Sequence, residues 1–230
     1  MKVLLFDIDA TLILTGGAGL RALDRAFQKL FNVNAAMTGV APHGKTDPAI
    51  IREIFQNRFT DESVTDPVIA TILEAYLLFL REEVELTNSY QILPGILEIL
   101  EEMTTRPDVL LGLATGNVEA GARIKLRRGD LNRFFPFGGF GSDSEYRADL
   151  VRQAAEMAAV RHGSPIEKSD VFVIGDTPKD IEAGRASGFQ TVGVATGQYS
   201  VDQLRDSGAD LAIADFRRGR DQFLRTTFIA

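Results

Sequence analysis

The sequence predicts an α/β protein with a parallel sheet core, into which an all-helical domain is inserted. Short apolar runs, each followed by small, polar or acidic residues, have the composition of strands that are buried on both faces. These runs lie at 3–6, 109–114, 171–174, 191–194 and 211–213. Helical patterns separate the later runs, at 117–128, 144–161 and 178–187. Such alternation of strand and helix from Pro94 onward is typical of α/β architecture.

The first predicted strand is followed by a long segment that breaks this alternation. One amphipathic helix there is marked by the apolar residues Leu20, Leu23, Phe27, Leu30 and Phe31. The stretches DPAIIREIF and DPVIATILEAYLLFL mark two more, and each opens on Asp-Pro, the pattern of an N-cap followed by proline at the first helical position. We therefore predict an all-α cap domain at 16–87 and an α/β core at 1–15 and 88–230.

Composition and charge exclude several classes of protein. The 230 residues include 32 acidic and 25 basic side chains, and the net charge of −7 disfavours nucleic acid and anionic membranes as partners. The chain has no cysteine, which excludes disulfides, thiolate catalysis and cysteine metal sites. The first strand has too few consecutive apolar residues for a signal peptide or a membrane span. We therefore expect a cytoplasmic protein.

Residues 39–48 read GVAPHGKTDP and match G-x-x-x-x-G-K-T, the phosphate-binding loop of ATP- and GTP-using enzymes. That loop requires a buried strand running into it and a helix leaving it, so that backbone N–H groups converge on the phosphates. The preceding residues, NVNAAMT, are small and polar and provide no such strand. A nucleotide-hydrolysing loop is therefore the disfavoured interpretation.

Acidic side chains follow two of the predicted strands. Asp7 and Asp9 come directly after the first strand, in DIDAT, and Thr11 lies two residues further on. The two-residue period of a strand puts the carboxylates of Asp7 and Asp9 on one side. Asp176 follows a later strand, and Asp180 lies near the first turn of the next helix, where it also suits a capping role.

A third strand end carries groups that suit an anion. GLATGN places Thr115, Gly116 and Asn117 where the strand at 109–114 ends and a helix begins. A hydroxyl, a free backbone N–H and a side-chain amide at such a turn bind an anion, although Thr115 and Asn117 also suit helix capping. Open α/β sheets carry their active sites at the carboxyl edge. The three strand ends therefore predict one site at that edge.

The predicted carboxylates repel one another, and a hard cation that takes oxygen ligands neutralises them. Mg²⁺ suits this role because it keeps coordination positions free for a substrate phosphate. The sequence therefore predicts a Mg²⁺-dependent phosphoryl-transfer site whose partner is a small-molecule phosphate ester.

The order of these motifs resembles the haloacid dehalogenase superfamily, in its phosphatase branch with a helical cap inserted after the first motif. D-x-D-x-T, the T-G-N strand end and G-D-T-x-x-D occur here in the same order, and with the cap the resemblance covers essentially the whole chain. It implies a Rossmann-like parallel core and a phosphomonoester hydrolase similar to phosphoglycolate phosphatases and β-phosphoglucomutases.

The resemblance implies roles for the four aspartates. Asp7 would be the nucleophile that forms an aspartyl-phosphate, and Asp9 would protonate the leaving alcohol and then activate water. Mg²⁺ would be held by the Asp7 carboxylate, the Asp9 backbone carbonyl and Asp176. Asp180 would support the ion directly or through water.

The resemblance also implies groups that hold the phosphate. Thr115, with the Gly116 N–H and Asn117, would orient and stabilise the phosphoryl oxygens. Thr11, in the first motif, is a further candidate for substrate binding.

The superfamily also needs a basic residue to balance the nucleophile and the phosphate, and its usual Lys-Pro pair is absent here. Arg147, at the start of a helix, is the leading candidate, and Lys125 and Arg128 are the alternatives. Ala10 occupies the position where glycine is commonest, and we expect it to adopt a β or right-handed α conformation.

In caps of this type, GVAPHGKTDP has the position of a substrate-reading loop between the first two helices. His43 and Lys45 are candidates for contacting a distal anionic or hydroxyl group of the substrate. The alternative is a polar turn in which Gly44, Thr46 and Asp47 have only local roles. The substrate stays open, since a small phosphorylated acid, a sugar phosphate and a nucleoside monophosphate all suit one site.

The sequence supports three alternatives to phosphate ester hydrolysis less well. The superfamily's dehalogenases attack carbon, need no metal and lack the second aspartate of the first motif, so Asp9 favours phosphate chemistry. A phosphomutase uses the same nucleophile and acid and stays open as an alternative. A non-catalytic binding module is disfavoured because all four aspartates are present. Oligomeric state is not encoded in these patterns.

Overall fold

The structure is a computed structural model that describes residues 1–59 and 64–228. Residues 60–63 of the predicted cap and 229–230 of the predicted core lie outside the described residues. The strands are β1 (Lys2–Phe6), β2 (Ile13–Thr15), β3 (Tyr90–Ile92), β4 (Val109–Thr115), β5 (Gly138–Phe140), β6 (Val171–Gly175), β7 (Gln190–Val194) and β8 (Leu211–Ile213). The α-helices are α1 (Ala18–Phe31), α2 (Asp47–Arg58), α3 (Asp66–Leu86), α4 (Ile96–Thr104), α5 (Glu119–Arg127), α6 (Arg147–His162), α7 (Pro178–Ser187), α8 (Val201–Asp206) and α9 (Phe216–Phe228).

The main sheet has the strand order β5-β4-β1-β6-β7-β8, and all its pairs are parallel. The predicted α/β class with a Rossmann-like parallel core is therefore confirmed. The strand β1 lies at the centre, with Val3 paired to Leu110 of β4 on one side and to Val171 of β6 on the other. Connections through helices keep the strands parallel, so their carboxyl ends meet at one edge.

Helices cover both faces of this sheet. Leu4 and Phe6 of β1 point into a core completed by α4 and α9, whereas Val3 and Leu5 point into a second core completed by α6 and α7. All four side chains have 0% exposure. Because both faces of β1 are buried, its sequence is a continuous apolar run.

The sequence patterns did not predict β5. Its residues are Gly-Gly-Phe, so it lacks the apolar run that marked the other strands. A Cβ added to Gly139 would lie 2.9 Å from the Leu150 Cα, closer than real Cβ contacts allow. Glycine is therefore needed because α6 packs directly against the backbone of this edge strand.

The helices α1, α2 and α3 pack around a further hydrophobic cluster, to which α5 adds Ile124. Phe27, Phe55 and Ile72 are buried at its centre, one from each helix. Beside this cluster lies a small antiparallel sheet that the sequence patterns did not predict, in which Ile13 of β2 pairs with Ile92 of β3. Its three-residue strands are too short for a period-2 pattern to be recognised. This sheet joins the two ends of the helical segment.

The segment with the phosphate-loop pattern connects α1 to α2. Within residues 1–59 and 64–228, no strand runs into it, and Lys45 Nζ contacts the Glu53 carboxylate. The expectation that the aspartates of the two Asp-Pro pairs are N-caps is wrong: Asp66 is the first residue of α3, whose N-cap is Thr65, and Asp47 is likewise the first residue of α2. Thr46 is the N-cap, and its hydroxyl accepts a hydrogen bond from Ala49 N at 3.3 Å.

None of the helices in the described part of the chain combines the length and the apolar character that a membrane span needs.

Candidate active site

Three neighbouring strands deliver the predicted residues to one cavity at the carboxyl edge of the sheet. Asp7 follows β1, Thr115 ends β4 and Asp176 follows β6. The Asp7 backbone N–H donates to Ile174 O at 2.9 Å, which ties its position to the neighbouring strand. All three side chains line a cavity of about 620 Å³, and the helical segment lines its other side.

Three buried carboxylates meet at this edge of the sheet, and two of them, Asp7 and Asp176, line the cavity. Oxygen atoms of Asp7, Asp176 and Asp180 lie within 4.8 Å of one another. Burial, together with the negative charges of the neighbouring aspartates, raises the pKa of Asp7 to about 6 and that of Asp176 to about 8. A set of hard oxygen donors whose charges repel one another fits a divalent cation such as Mg²⁺.

The Arg147 guanidinium lies over this cluster from the first residue of α6. Its Nη2 is 3.4 Å from Asp7 Oδ1 and also contacts Asp180 Oδ1. The other oxygen of Asp180 accepts hydrogen bonds from Thr177 N at 3.0 Å and from the Thr177 hydroxyl at 2.7 Å. Asp180 therefore completes a capping box of α7 and belongs to the carboxylate cluster at the same time.

Lys125 occupies the corresponding place beside Asp9. Its Nζ lies 2.7 Å from Asp9 Oδ2 and 2.6 Å from Asn117 Oδ1, and Asn117 Nδ2 donates to Asp9 Oδ2 at 2.8 Å. Burial alone would raise the pKa of Asp9, but the Lys125 charge and these hydrogen bonds outweigh it and hold that pKa below its ordinary value. About 45% of the Asp9 side chain stays exposed to the cavity, whereas Lys125 is buried.

Two of the three candidate basic residues therefore lie in the site, one beside each aspartate of the first motif. Arg128 does not, because its guanidinium donates to backbone carbonyls at the end of α3, including Thr87 O at 2.8 Å. The sequence signal for Lys125 was its place between two apolar residues, Ile124 and Leu126, in α5.

The turn after β4 satisfies part of its own hydrogen-bonding capacity. The Thr115 hydroxyl accepts from Asn117 Nδ2 at 2.9 Å and from Asn117 N at 3.3 Å. Thr115, Gly116 and Asn117 all line the cavity. Thr11 lies below it: its buried hydroxyl is 3.5 Å from Asp176 Oδ1, and it is not among the described residues that line the cavity.

The segment before α2 docks onto this turn. Asp47 N donates to Gly116 O at 2.8 Å, and the Asp47 carboxylate accepts from Val118 N at 2.9 Å, at the start of α5. Sequence reasoning gave Asp47 only a local role in the helix start, but burial raises its pKa to about 6. His43 and Lys45 line the cavity from the same segment, His43 as an exposed residue.

The expectation for Ala10 is wrong, because its φ is 58° and lies in the left-handed region. Ala10 N donates to Ile13 O, and Ala10 O accepts from the Thr196 hydroxyl at 2.6 Å, so hydrogen bonds on both sides hold this turn. Gly197, next to Thr196, was not identified from the sequence. A Cβ there would lie 3.0 Å from Asp176 Cγ and closer still to its carboxylate oxygen, so the backbone must approach Asp176 without a side chain.

Comparison with known proteins assigns the chain to a family. The model of the haloacid dehalogenase-like hydrolases matches residues 4–194. A phosphoglycolate phosphatase of Pseudomonas syringae pv. syringae (strain B728a) is 24% identical over 218 residues, which span 94% of this chain and 78% of that protein. One of Pseudomonas fluorescens (strain Pf0-1) is 25% identical over 221 residues with the same coverage.

Solved structures share the fold. A hydrolase from Pseudomonas syringae has a TM-score of 0.72 at 23% identity, covering 97% of this chain and 98% of that one. CbbY from Rhodobacter sphaeroides, in complex with phosphate, has a TM-score of 0.73 at 17% identity, covering 95% and 96%. At these identities the likeness concerns the fold alone.

Proposed function

The chain belongs to the haloacid dehalogenase-like hydrolases, and from this premise we propose that it is a Mg²⁺-dependent phosphatase. The substrate is a small phosphorylated metabolite, which is hydrolysed through an aspartyl-phosphate intermediate. The observation that carries the proposal is the meeting of Asp7, Asp176 and Asp180 under Arg147, beside a cavity that Asp7, Asp176 and Arg147 line. The curated relatives named as phosphoglycolate phosphatases support the same reaction class.

Asp7 is the proposed nucleophile. Its carboxylate attacks phosphorus, the bond to the leaving oxygen breaks, and water later cleaves the acyl phosphate, so that one difficult hydrolysis becomes two easier steps. Arg147, at 3.4 Å from Asp7 Oδ1, fixes the carboxylate and offers charge to the phosphoryl oxygens. The turn at 115–117 supplies the Thr115 hydroxyl, the Gly116 N–H and the Asn117 amide on the other side of the incoming phosphate.

Asp9 is the proposed proton-transfer group. Its side chain is open to the cavity and is held in one orientation by Asn117 and Lys125. From there it exchanges a proton first with the leaving oxygen and then with the attacking water. Lys125 contributes by keeping this carboxyl group in place.

The proposed ligands of Mg²⁺ are the Asp7 carboxylate, the backbone carbonyl of Asp9, and Asp176, with Asp180 in support. When bound, the ion supplies positive charge for the phosphoryl oxygens and orients them toward Asp7. The four aspartates alone would repel a dianionic phosphate, so the ion and Arg147 are both needed for binding.

Residues 16–87 form the proposed cap, and the hydrophobic cluster of α1, α2 and α3, whose buried members all come from this segment except Ile124, supports this division. His43 and Lys45 remain predicted contacts of the substrate. The cytoplasmic location also remains a prediction.

The test is release of inorganic phosphate from an aryl phosphate and a panel of small phosphate esters, with Mg²⁺ or with EDTA. We expect release that requires Mg²⁺ and is abolished by Asp7→Asn, while the matched control Asp108→Asn, at an exposed site, stays active. Activity in Asp7→Asn equal to that of the wild type would refute the nucleophile assignment.

Two other functions are separated by the same assay. A phosphomutase would accumulate an isomerised sugar phosphate in place of inorganic phosphate. A nucleotide-hydrolysing loop would act on ATP alone, and ATP is therefore included in the panel.

A further inference from the structure

The walls of the active-site cavity differ in character from its floor. The floor carries the aspartates and Arg147, whereas the far wall is built by Leu14 of β2, Leu20 and Leu23 of α1, Ile50 of α2 and Tyr76 of α3. The remaining side chains of the β2–β3 region that reach the cavity are neutral, among them Asn88 and Gln91. The part of the substrate beyond the phosphate therefore meets mostly apolar and uncharged groups.

The cavity is also large for a two-carbon substrate. Its volume of about 620 Å³ lies in the range of roughly 300–1,000 Å³ typical of sites that enclose a whole drug-sized ligand. A phosphoryl group bound at Asp7 leaves most of this space for the remainder of the ester.

Among the described residues that line the cavity, each lysine and arginine is already paired with a carboxylate. Lys45 contacts Glu53, Lys125 contacts Asp9, and Arg147 contacts Asp7 and Asp180. Asp47 adds a further acid beside Lys125, whose charge acts on it. A second negative charge on the substrate would therefore be desolvated against these acids without an unpaired lysine or arginine to receive it.

We propose, resting on the phosphatase function above, that this site selects phosphate monoesters whose body is neutral and largely apolar, and disfavours carboxylated ones such as phosphoglycolate. Burial against Leu20, Leu23 and Ile50 supplies the binding free energy for the body. The phosphoryl group alone occupies the charged floor.

The N-terminus of α1 favours the opposite preference, for carboxylated esters, so the experiment tests the proposal against a competing effect. The N-terminus of α1 borders the cavity at Gly17 and Gly19, and a helix N-terminus attracts negative charge. A terminal carboxylate on the ester therefore has a place where it would be stabilised if the acids did not outweigh it.

The experiment compares n-alkyl phosphates from ethyl to hexyl with ω-carboxyalkyl phosphates of matched length and with 2-phosphoglycolate. We expect kcat/KM to rise about fourfold for each added methylene, and to fall at least tenfold when the chain ends in a carboxylate. Leu20→Lys, at a wall position with 41% exposure, should shift the carboxyl-to-alkyl preference at least tenfold toward carboxylated esters, whereas the control Leu20→Met should not.

A second measurement separates failure of this proposal from failure of the phosphatase function. Binding of the corresponding alkylphosphonates, which are not hydrolysed, is followed by calorimetry. Hydrolysis that favours 2-phosphoglycolate would overturn the selectivity and leave the phosphatase standing. No hydrolysis, with tighter binding of longer phosphonates, would refute the phosphatase but support the selectivity. The absence of both hydrolysis and chain-length dependence would overturn both.

Discussion

Substitution of Gly116 by alanine tests whether the helical segment must dock on the core for activity. A Cβ at this position would lie 2.9 Å from the Lys45 carbonyl carbon, 3.1 Å from the Thr46 Cα and closer still to the Lys45 oxygen. These are backbone atoms, so no side chain can rotate away. The segment that precedes α2 must therefore retreat from the β4–α5 turn by roughly 1 Å to reach ordinary contact distances.

The retreat breaks two hydrogen bonds that join cap and core. The bond from Asp47 N to Gly116 O, at 2.8 Å, is between neutral groups and contributes about 1 kcal/mol. The bond from Val118 N to the Asp47 carboxylate, at 2.9 Å, involves a charged acceptor and contributes about 1.5–3 kcal/mol. The docked state thus loses about 2.5–4 kcal/mol. If catalysis requires docking, kcat/KM falls roughly a hundredfold or more.

Two measurements check this expectation. Hydrogen exchange reports whether the Asp47 amide and the first turn of α2 lose protection, and kcat/KM for the best ester reports the functional consequence. Gly121→Ala, in α5, is the matched control, because its new Cβ would meet only side-chain atoms, those of Val118, Leu77 and Leu80, at 3.5 Å or beyond. Unchanged exchange and unchanged kcat/KM in Gly116→Ala would refute the reasoning.

Three further substitutions test individual contacts. Ala10→Gly should raise the free energy of unfolding by about 0.5–1 kcal/mol in chemical denaturation, since alanine at φ 58° is strained and glycine is not. Burial raises the folded-state pKa of Asp47 from 3.8 to about 6, so its ionisation destabilises the fold as pH rises through that window. Asp47→Asn should therefore gain stability over the wild type between pH 4 and pH 7, by an amount on the order of 3 kcal/mol. Lys125→Met should lower kcat/KM at least tenfold in steady-state assays, because Asp9 loses the group that orients it.

Each of these substitutions has a control in the chain. Ala155→Gly, in the interior of α6, should destabilise the protein, and equal effects at Ala10 and Ala155 would contradict the strain argument. Asp66 has the same Asp-Pro position in α3 but is exposed, so a pH-dependent gain in Asp66→Asn as large as that at Asp47 would contradict the burial argument. Arg127→Met removes an exposed cation from α5. A loss of activity equal to that of Lys125→Met would show that the loss of any positive charge from α5, and not the loss of the contact with Asp9, lowers the activity.

The strand runs and the residues that follow them could be read directly from the sequence. A strand buried on both faces must be continuously apolar, and a parallel strand must end at the edge where its neighbours end. The positions of Asp7, Thr115 and Asp176 follow from these two requirements. The resemblance to the family rested on the same residues, and the family match confirms it.

Other features could not be predicted from the sequence, because contacts with neighbouring parts of the fold, and not a local sequence pattern, explain them. The strand β5 has glycines where α6 presses on its backbone, and Gly197 is a glycine because Asp176 lies against it. The left-handed φ of Ala10 is held by Ile13 and Thr196, the latter far along the chain. No period or capping rule contains this information.

The sequence by itself determined the fold class and which strand ends carry the acids, since both depend on local periodicity. Only the tertiary structure decided the partners of the buried acids: Lys125 lies 116 residues from Asp9, and Asp47, at the start of α2, meets a turn 71 residues away at Val118. Such pairs form because packing α5 and α2 onto the sheet edge leaves buried charges and backbone donors that must find one another. The partner of a buried polar group is the residue that the fold brings beside it, and the order of residues along the chain does not show which residue that is.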